Sequence, residues 1–277
     1  MKKYVLLFFL CSCLTGQEMP IPEFNDDALI ADGDRAGNYD RPYSLNPIPI
    51  NPRTPEPSNC TKEAKKPENT KKFEKEIQAY LAQDKVTPPK KHEILFIGSS
   101  IFVNWKTLSD QMSPLPVINR SFGGATTDQI IFRTNQIVIP YQPKIIVYYC
   151  GSNDISLHKK PNEILKNFTT FSETISKELP DTTIVFLSIN KAPSKKELWD
   201  EIDETNEKVE QYCHNTKRRI YIDINPLFFD NQGDINYTFF YSDNLHLRQA
   251  AYDDLSKVIR PLLESMWKKN QTNGSKN

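Results

Sequence analysis

The sequence predicts an α/β fold, a three-layer sandwich in which helices cover both faces of a parallel sheet. Two observations lead to this. Between about residues 70 and 265, short apolar segments of strand length alternate with longer segments whose apolar residues recur at helical spacing. The short segments are also apolar on both faces, as buried parallel strands are. Right-handed crossovers between such strands place the helices on the two sides of the sheet.

The predicted elements follow one another along the chain. A first helix is indicated by the apolar spacing from Phe73 to Leu81, and Pro88 and Pro89 end it. Five strands are predicted, at Glu93–Gly98, Val117–Asn119, Lys144–Cys150, Thr183–Ile189 and Ile220–Ile224. Helices are predicted between and after them, at Gln129–Ile139, Asn162–Leu179, Glu197–Cys213 and Arg248–Met266.

The composition is that of a folded chain without net charge. Lysine plus arginine and aspartate plus glutamate both number 35 in 277 residues, and 38% of residues are hydrophobic. Zero net charge gives no electrostatic reason to expect nucleic acid or an anionic membrane surface as a partner. No apolar run reaches the ~18 residues of a membrane-spanning helix. We therefore expect a globular domain that binds no nucleic acid, and we leave its oligomeric state open.

The first thirteen residues are typical of an export signal. Lys2 and Lys3 precede a short apolar stretch, Tyr4 to Leu10. The segment Leu10-Cys11-Ser12-Cys13 then resembles a bacterial lipobox, which implies removal of residues 1–12 and membrane attachment through a lipid on Cys13. The alternative is an ordinary cleaved signal peptide. In either case we expect an exported protein, a lipoprotein of the cell envelope or a secreted one.

A proline-rich segment separates this leader from the predicted domain. Residues 20–67 contain nine of the 20 prolines, and proline both fixes φ and removes a backbone donor. We interpret residues 13–69 as a semi-extended tether, the alternative being a segment that wraps over the domain. The domain is then expected at 70–265, with a polar tail at 266–277.

Polar side chains and glycines follow the predicted strands, where ligands bind in open parallel sheets. In order along the chain these segments are Gly98-Ser99-Ser100-Ile101, Asn119-Arg120-Ser121-Phe122-Gly123-Gly124, Gly151-Ser152-Asn153-Asp154 and, before the last helix, Asp243-Asn244-Leu245-His246. A hydroxyl, glycine amides, a carboxamide and an Asp–His pair are the parts of a nucleophile, an oxyanion hole and an oriented base.

The spacing of Asp243 and His246 has a physical reason. Two residues three apart on a helical turn share a face, so that the carboxylate can hold the imidazole Nδ1–H and leave Nε2 free to accept a hydroxyl proton. The chain order Ser, Asp, His is known for catalytic triads on α/β scaffolds. A G-x-S-x-G segment is absent from the sequence.

Taken together, the four segments resemble the four blocks of the SGNH (GDSL-type) hydrolase family, from about Glu93 to Leu263. The resemblance implies a flavodoxin-like fold with a five-stranded parallel sheet and the hydrolysis of esters through an acyl-enzyme. By position it makes Ser100 the nucleophile and Asp243 and His246 its partners in a catalytic triad. The implied oxyanion hole consists of Ser100, Gly124 and Asn153. One departure is Ser99, which stands where the family usually has Asp.

Several alternatives remain at this stage. The same residues suit an acyltransferase, or a non-catalytic binding protein on the same scaffold, and each segment alone is compatible with a helix cap or a turn. The substrate is open among small-acyl, carbohydrate and lipid esters, and we expect a preference for short acyl chains. No ligand cluster points to a metal or an organic cofactor. Other charged residues are interpreted as solvated, namely His92, His158, His214, Lys195, Lys196, Lys217, Arg218 and Arg219.

Overall fold

In a computed structural model of the protein, residues 72–274 are described, with side chains up to residue 269. The predicted leader, Cys13 and the proline-rich segment lie outside the described residues. The described part is built around one sheet, whose strands are β1 (Ile94–Gly98), β2 (Val117–Asn119), β3 (Ile145–Tyr149), β4 (Thr183–Leu187) and β5 (Arg219–Ile222).

All strand pairs are parallel, and the strand order is β2-β1-β3-β4-β5. In register, Phe96 of β1 lies beside Asn119 of β2 and Val147 of β3. This order is that of the flavodoxin-like sheet, in which the first crossover leads to one edge and later ones to the other. The predicted α/β class, the five parallel strands and the flavodoxin-like topology are confirmed.

Eight α-helices connect and flank these strands within the described residues. They are α1 (Glu74–Val86), α2 (Ser100–Asn104), α3 (Leu108–Met112), α4 (Thr127–Ile137), α5 (Ser152–Ser156), α6 (Pro161–Glu178), α7 (Trp199–His214) and α8 (Gln249–Gly274). The five longer helices match the predicted ones in place. The three five-residue helices α2, α3 and α5 were not predicted, because one and a half turns are too short for an apolar period to show.

Both faces of the sheet are covered, which explains why its strands are apolar throughout. On one face Phe96 belongs to a buried cluster with Leu255 of α8, and on the other face Ile97 belongs to a cluster with Phe168 of α6. Successive strand residues point to opposite faces, so both sets must be apolar when both faces are buried.

The C-terminal helix α8 is fastened to the short helices that follow β1. The Trp105 and Tyr252 rings stack at a centroid distance of 5.2 Å. The Tyr252 hydroxyl donates a hydrogen bond of 2.8 Å to the carbonyl of Ile101, and the Gln111 amide donates one of 2.6 Å to Asp253. These contacts fix the loop that precedes α8 relative to the segment that follows β1.

Two expectations about the chain's surface and end need correction. Arg219 is buried, not solvated, because its guanidinium donates to the hydroxyl of Ser172 at 2.5 Å and to its carbonyl at 2.8 Å. The last helix does not stop near Met266 but continues through Pro261 to Gly274.

His92, His158 and His214 are exposed, as expected. Between residues 72 and 274, none of the helices is long and apolar enough to span a membrane.

Gly98, the last residue of β1, supplies a first prediction about stability. A Cβ atom at this position would lie 2.1 Å from the carbonyl oxygen of Tyr149 in the neighbouring strand, which cannot move without disturbing the sheet. We expect Gly98→Ala to lower the free energy of unfolding by about 1–3 kcal/mol or more, measured by urea denaturation. At Gly123 a Cβ would meet nothing within 4 Å, so Gly123→Ala is the matched control. Equal stability of the two variants would contradict this account.

Candidate active site

Ser100, His246 and Asp243 form a hydrogen-bonded chain at the carboxyl end of β1. His246 Nε2 lies 3.1 Å from Ser100 Oγ, and His246 Nδ1 lies 2.6 Å from Asp243 Oδ2. A carboxylate only accepts hydrogen bonds, so Nδ1 carries the proton and Nε2 presents its lone pair to the serine hydroxyl. The structure thus joins three residues that the sequence separates by up to 146 positions.

The local geometry of Asp243 differs from the helical turn that the spacing suggested. Residues 243–246 lie in a loop, and α8 begins only at Gln249. Asp243 Oδ1 accepts hydrogen bonds of 3.0 Å from the backbone N–H groups of Leu245 and His246, while Asn244 adopts a left-handed φ of 54°. The Asp243 side chain therefore closes its own turn, and this turn brings the imidazole back to the carboxylate.

The His246–Asp243 pair keeps the carboxylate ionised although both side chains are partly solvated. The hydrogen bond from His246 lowers the pKa of Asp243 to about 2, with a further contribution from the two backbone donors. Because this pKa is depressed, the stabilisation is present above the ordinary carboxyl range and is lost as pH falls through about 2. The exposed fractions of the two side chains, 30% for His246 and 48% for Asp243, leave the pair accessible to water.

Gly124 lies in a loop and Asn153 in a neighbouring short helix, and the two segments contact each other. Gly124, between β2 and α4, has a φ of 79°, a conformation that favours glycine. Asn153 is in α5, directly after β3, and its side-chain amide donates a hydrogen bond of 2.9 Å to the carbonyl of Ala125. One of its two amide N–H groups is used in this way. Asn153 lines a cavity together with Ser100, and Gly124 is not among the residues of its wall.

A buried carboxylate holds these two segments together. Asp154 accepts hydrogen bonds from the backbone N–H of Thr127 at 3.0 Å and from its hydroxyl at 2.7 Å, and it forms an ion pair with Lys159 at 3.0 Å. Thr127 is the first residue of α4, where a negative charge is favourable. Burial raises the pKa of Asp154, and the neighbouring Lys159 and Thr127 only partly offset this. The sequence analysis gave Asp154 no role beyond its place in the segment Gly151-Ser152-Asn153-Asp154 and missed this one.

A small cavity opens beside Ser100. Its empty volume is about 240 Å³, part of which is open solvent, and its wall includes Tyr149, Asn153, Asn190 and Lys195. Because part of this volume is open solvent, the enclosed space beside Ser100 is smaller than about 240 Å³. The site is therefore suited to a small group next to the serine hydroxyl.

Lys195 corrects the interpretation of the basic residues as solvated. Only 7% of it is exposed, and its ammonium group donates hydrogen bonds to the carbonyl of Ser152 at 2.6 Å and to its hydroxyl at 2.5 Å. Burial lowers the pKa of Lys195 to about 8, partly countered by the charge of Asp154. The residue lies in a 3₁₀ segment, Pro193–Leu198, and its φ of −117° is not helical. Because of this local geometry Lys195 is buried while its neighbour Lys196 is exposed. Nothing in the sequence distinguishes the buried lysine from its exposed neighbour.

In the described part of the chain, the cysteines and histidines do not form a further site. Among residues 72–274, no group of three or more His, Cys, Asp or Glu side chains is arranged to hold a metal ion. Cys150 and Cys213 are buried free thiols, and burial raises the pKa of both.

The chain is similar to known proteins both in sequence and in structure. The model of the GDSL-like lipase/acylhydrolase family matches residues 98–253, more than half of the chain. A Streptococcus pneumoniae protein whose name refers to platelet activating factor has a similar structure, with a TM-score of 0.62, 23% identity and coverage of 70% of this chain and 93% of its own. A GDSL-like lipase from Bacteroides thetaiotaomicron gives a TM-score of 0.59 at 19% identity, covering 68% and 97%.

An acetyl-xylooligosaccharide esterase variant from Geobacillus stearothermophilus is also similar, with a TM-score of 0.50, 14% identity and coverage of 62% and 93%. At these identities the similarity establishes the fold alone. No protein among those with curated functions matches the sequence.

The Asp154 contacts predict a large difference between two neighbouring carboxylates. Asp154→Asn replaces one of the two oxygens that accept the Thr127 N–H with an amide donor, so we expect the free energy of unfolding to fall by about 3 kcal/mol. Asp128 pairs with the same Lys159 at 2.7 Å but is 36% exposed, and Asp128→Asn is expected to cost about 1 kcal/mol or less. Urea unfolding measures both variants. Similar losses of stability in the two variants would contradict the proposed role of Asp154 in holding the two segments together.

Proposed function

Because the chain belongs to the GDSL-like lipase/acylhydrolase family, a family of ester hydrolases, we propose that it hydrolyses a carboxylic ester through an acyl-enzyme on Ser100. The observation that most directly supports this is the hydrogen-bonded chain from Ser100 through His246 to Asp243, with distances of 3.1 and 2.6 Å. A serine hydroxyl needs such a base to become a nucleophile at neutral pH.

The proton transfers follow from the two ends of the imidazole. His246 Nε2 accepts the Ser100 proton as Oγ attacks the ester carbonyl, and the ionised Asp243 stabilises the imidazolium through Nδ1–H. The imidazolium then gives its proton to the leaving alcohol. In the second half of the reaction, His246 takes a proton from water, which attacks the acyl-enzyme, and Ser100 is regenerated. The partial exposure of His246 provides access for this water.

The negative charge that develops on the carbonyl oxygen requires donors. We assign the backbone N–H groups of Ser100 and Gly124 and the side-chain amide of Asn153 to this oxyanion hole. Ser100 begins α2, where backbone N–H groups have no partner within the helix. Asn153 shares the cavity with Ser100 and retains one amide N–H beyond its bond to Ala125.

The size of the cavity supports a short acyl group. An empty volume of about 240 Å³ beside Ser100 leaves little room for a long hydrocarbon chain. We therefore propose that the enzyme is an esterase for small acyl groups and not a lipase for long chains.

The first test concerns which of two adjacent serines is the nucleophile. Ser100→Ala should reduce kcat by ~10⁴–10⁶, because the triad loses its attacking atom. Ser99→Ala is the matched control and should keep most of the activity, since Ser99 is buried and its hydroxyl has no bond to His246. Rates are measured on p-nitrophenyl acetate and on p-nitrophenyl octanoate, with the acetate expected to react faster. An inactive Ser99→Ala beside an active Ser100→Ala would reverse the assignment.

A second test concerns Asn153 as an oxyanion donor. Asn153→Ala should lower kcat by ~10²–10³ with little change in KM, because the amide binds the transition state more strongly than the ground-state carbonyl. Asn153→Asp should be worse, since it places a carboxylate against the oxyanion. Thermal unfolding of the same preparations tests the structural alternative, in which Asn153 only holds the carbonyl of Ala125. A folded Asn153→Ala variant with wild-type kcat would remove Asn153 from the oxyanion hole.

A further inference from the structure

Among residues 72–269, the Lys195 ammonium group in the cavity wall has no anionic partner. Within the described residues no carboxylate oxygen lies within 4 Å of it, and its two hydrogen bonds go to the neutral carbonyl and hydroxyl of Ser152. An ammonium group has three donors, so one is left over. Asp154 acts on Lys195 only from farther away, and its oxygens already bind Thr127 and Lys159.

Asn190, which also lines the cavity, has a second unused donor. It is 1% exposed, and its carbonyl oxygen accepts the hydroxyl of Tyr149, which also lines the cavity. Its Nδ2 is one of three buried side-chain polar atoms without a hydrogen-bond partner in the described part of the chain. The other two, on Ser121 and Tyr148, are not in the cavity wall.

The unpaired ammonium group and the unpaired amide donor both destabilise the protein unless a ligand binds in the cavity. A buried donor without a partner lowers the stability of the fold, and a buried charge without a counterion lowers it further. An acetyl group or a hydrocarbon chain in the cavity would leave both donors unpaired and remove them from water. An anionic group with acceptor oxygens would satisfy both.

We propose that the acyl group of the substrate ends in a carboxylate, so that the substrate is a half-ester of a short dicarboxylic acid bound by Lys195 and Asn190. The inference rests on the proposed function. We assign the cavity to the acyl part of the ester and not to its alcohol. The leaving alcohol must reach His246 Nε2, and neither His246 nor Asp243 is in the wall of this cavity. Lys195 and Asn190 are thus specificity-determining residues that take no part in the proton transfers.

The main experiment compares a charged ester with its neutral isostere. The wild-type protein is assayed at pH 7, where Lys195 with its pKa of about 8 is mostly protonated, on monomethyl succinate and on methyl succinamate. Product acids are quantified by chromatography. We expect kcat/KM to be at least ~10-fold higher for the carboxylate, because a site with buried donors rejects a substrate that leaves them poorly paired.

Three variants locate the origin of this preference. Lys195→Met should abolish it, and Asn190→Asp should reverse it by replacing the unpaired donor with an anion while keeping an acceptor for Tyr149. Lys196→Met, which changes the exposed neighbour of Lys195, is the matched control and should leave the preference unchanged. Turnover of p-nitrophenyl acetate and thermal unfolding are recorded for every variant.

Further arms separate the outcomes. If Lys195→Met does not fold, inhibition of the wild-type protein decides: free butyrate should compete with p-nitrophenyl acetate at least ~10-fold better than the neutral butyramide. Equal turnover of the charged and neutral esters by an enzyme active on p-nitrophenyl acetate would overturn the inference and leave the proposed function standing. A charge preference found only between O-acetylglycolate and O-acetylglycolamide would place the anion on the alcohol and also overturn it. No turnover of any ester would contradict both proposals.

Discussion

The arrangement of the site depends on one buried carboxylate. Asp154 receives the backbone N–H and hydroxyl of Thr127, the first residue of α4, and the ammonium of Lys159. It thereby fixes the loop that carries Gly124 against the short helix that carries Asn153. Donors for a developing oxyanion are effective when they are already in place and need no reorganisation during the reaction. The cost is a carboxylate withdrawn from water, visible in its raised pKa.

The segments that form the site belong to both faces of the sheet. α2 with Ser100 and the docked α8 belong to one face, while α4, behind the Gly124 loop, packs on the other. The parallel topology alone brings these segments to one edge, because every strand ends there. The hydrogen bond from Tyr252 to Ile101 and the stacking of Tyr252 on Trp105 then refine the position of the loop that carries the imidazole.

Much of this was predictable from the sequence, and the failures have a common cause. The alternation of buried strands and amphipathic helices is a local pattern, as are the four polar segments at strand ends, so the fold and the candidate residues could be predicted. Which of two adjacent lysines turns inward is decided by a 3₁₀ segment and by Ser152, a residue 43 positions away. The buried state of Arg219 likewise depends on Ser172 in a distant helix, and such contacts leave no periodic signal.

The separation of Ser100 and His246 by 146 positions has a consequence for the newly made chain. The serine and its turn are complete once β1 and β3 have paired, but the imidazole arrives only when α8 docks on Trp105 and Ile101. Bringing such distant segments together carries the loop-closure entropy of a long intervening chain. A partly synthesised chain therefore lacks the hydrogen bond between His246 and Ser100 until its last segments have been made and packed.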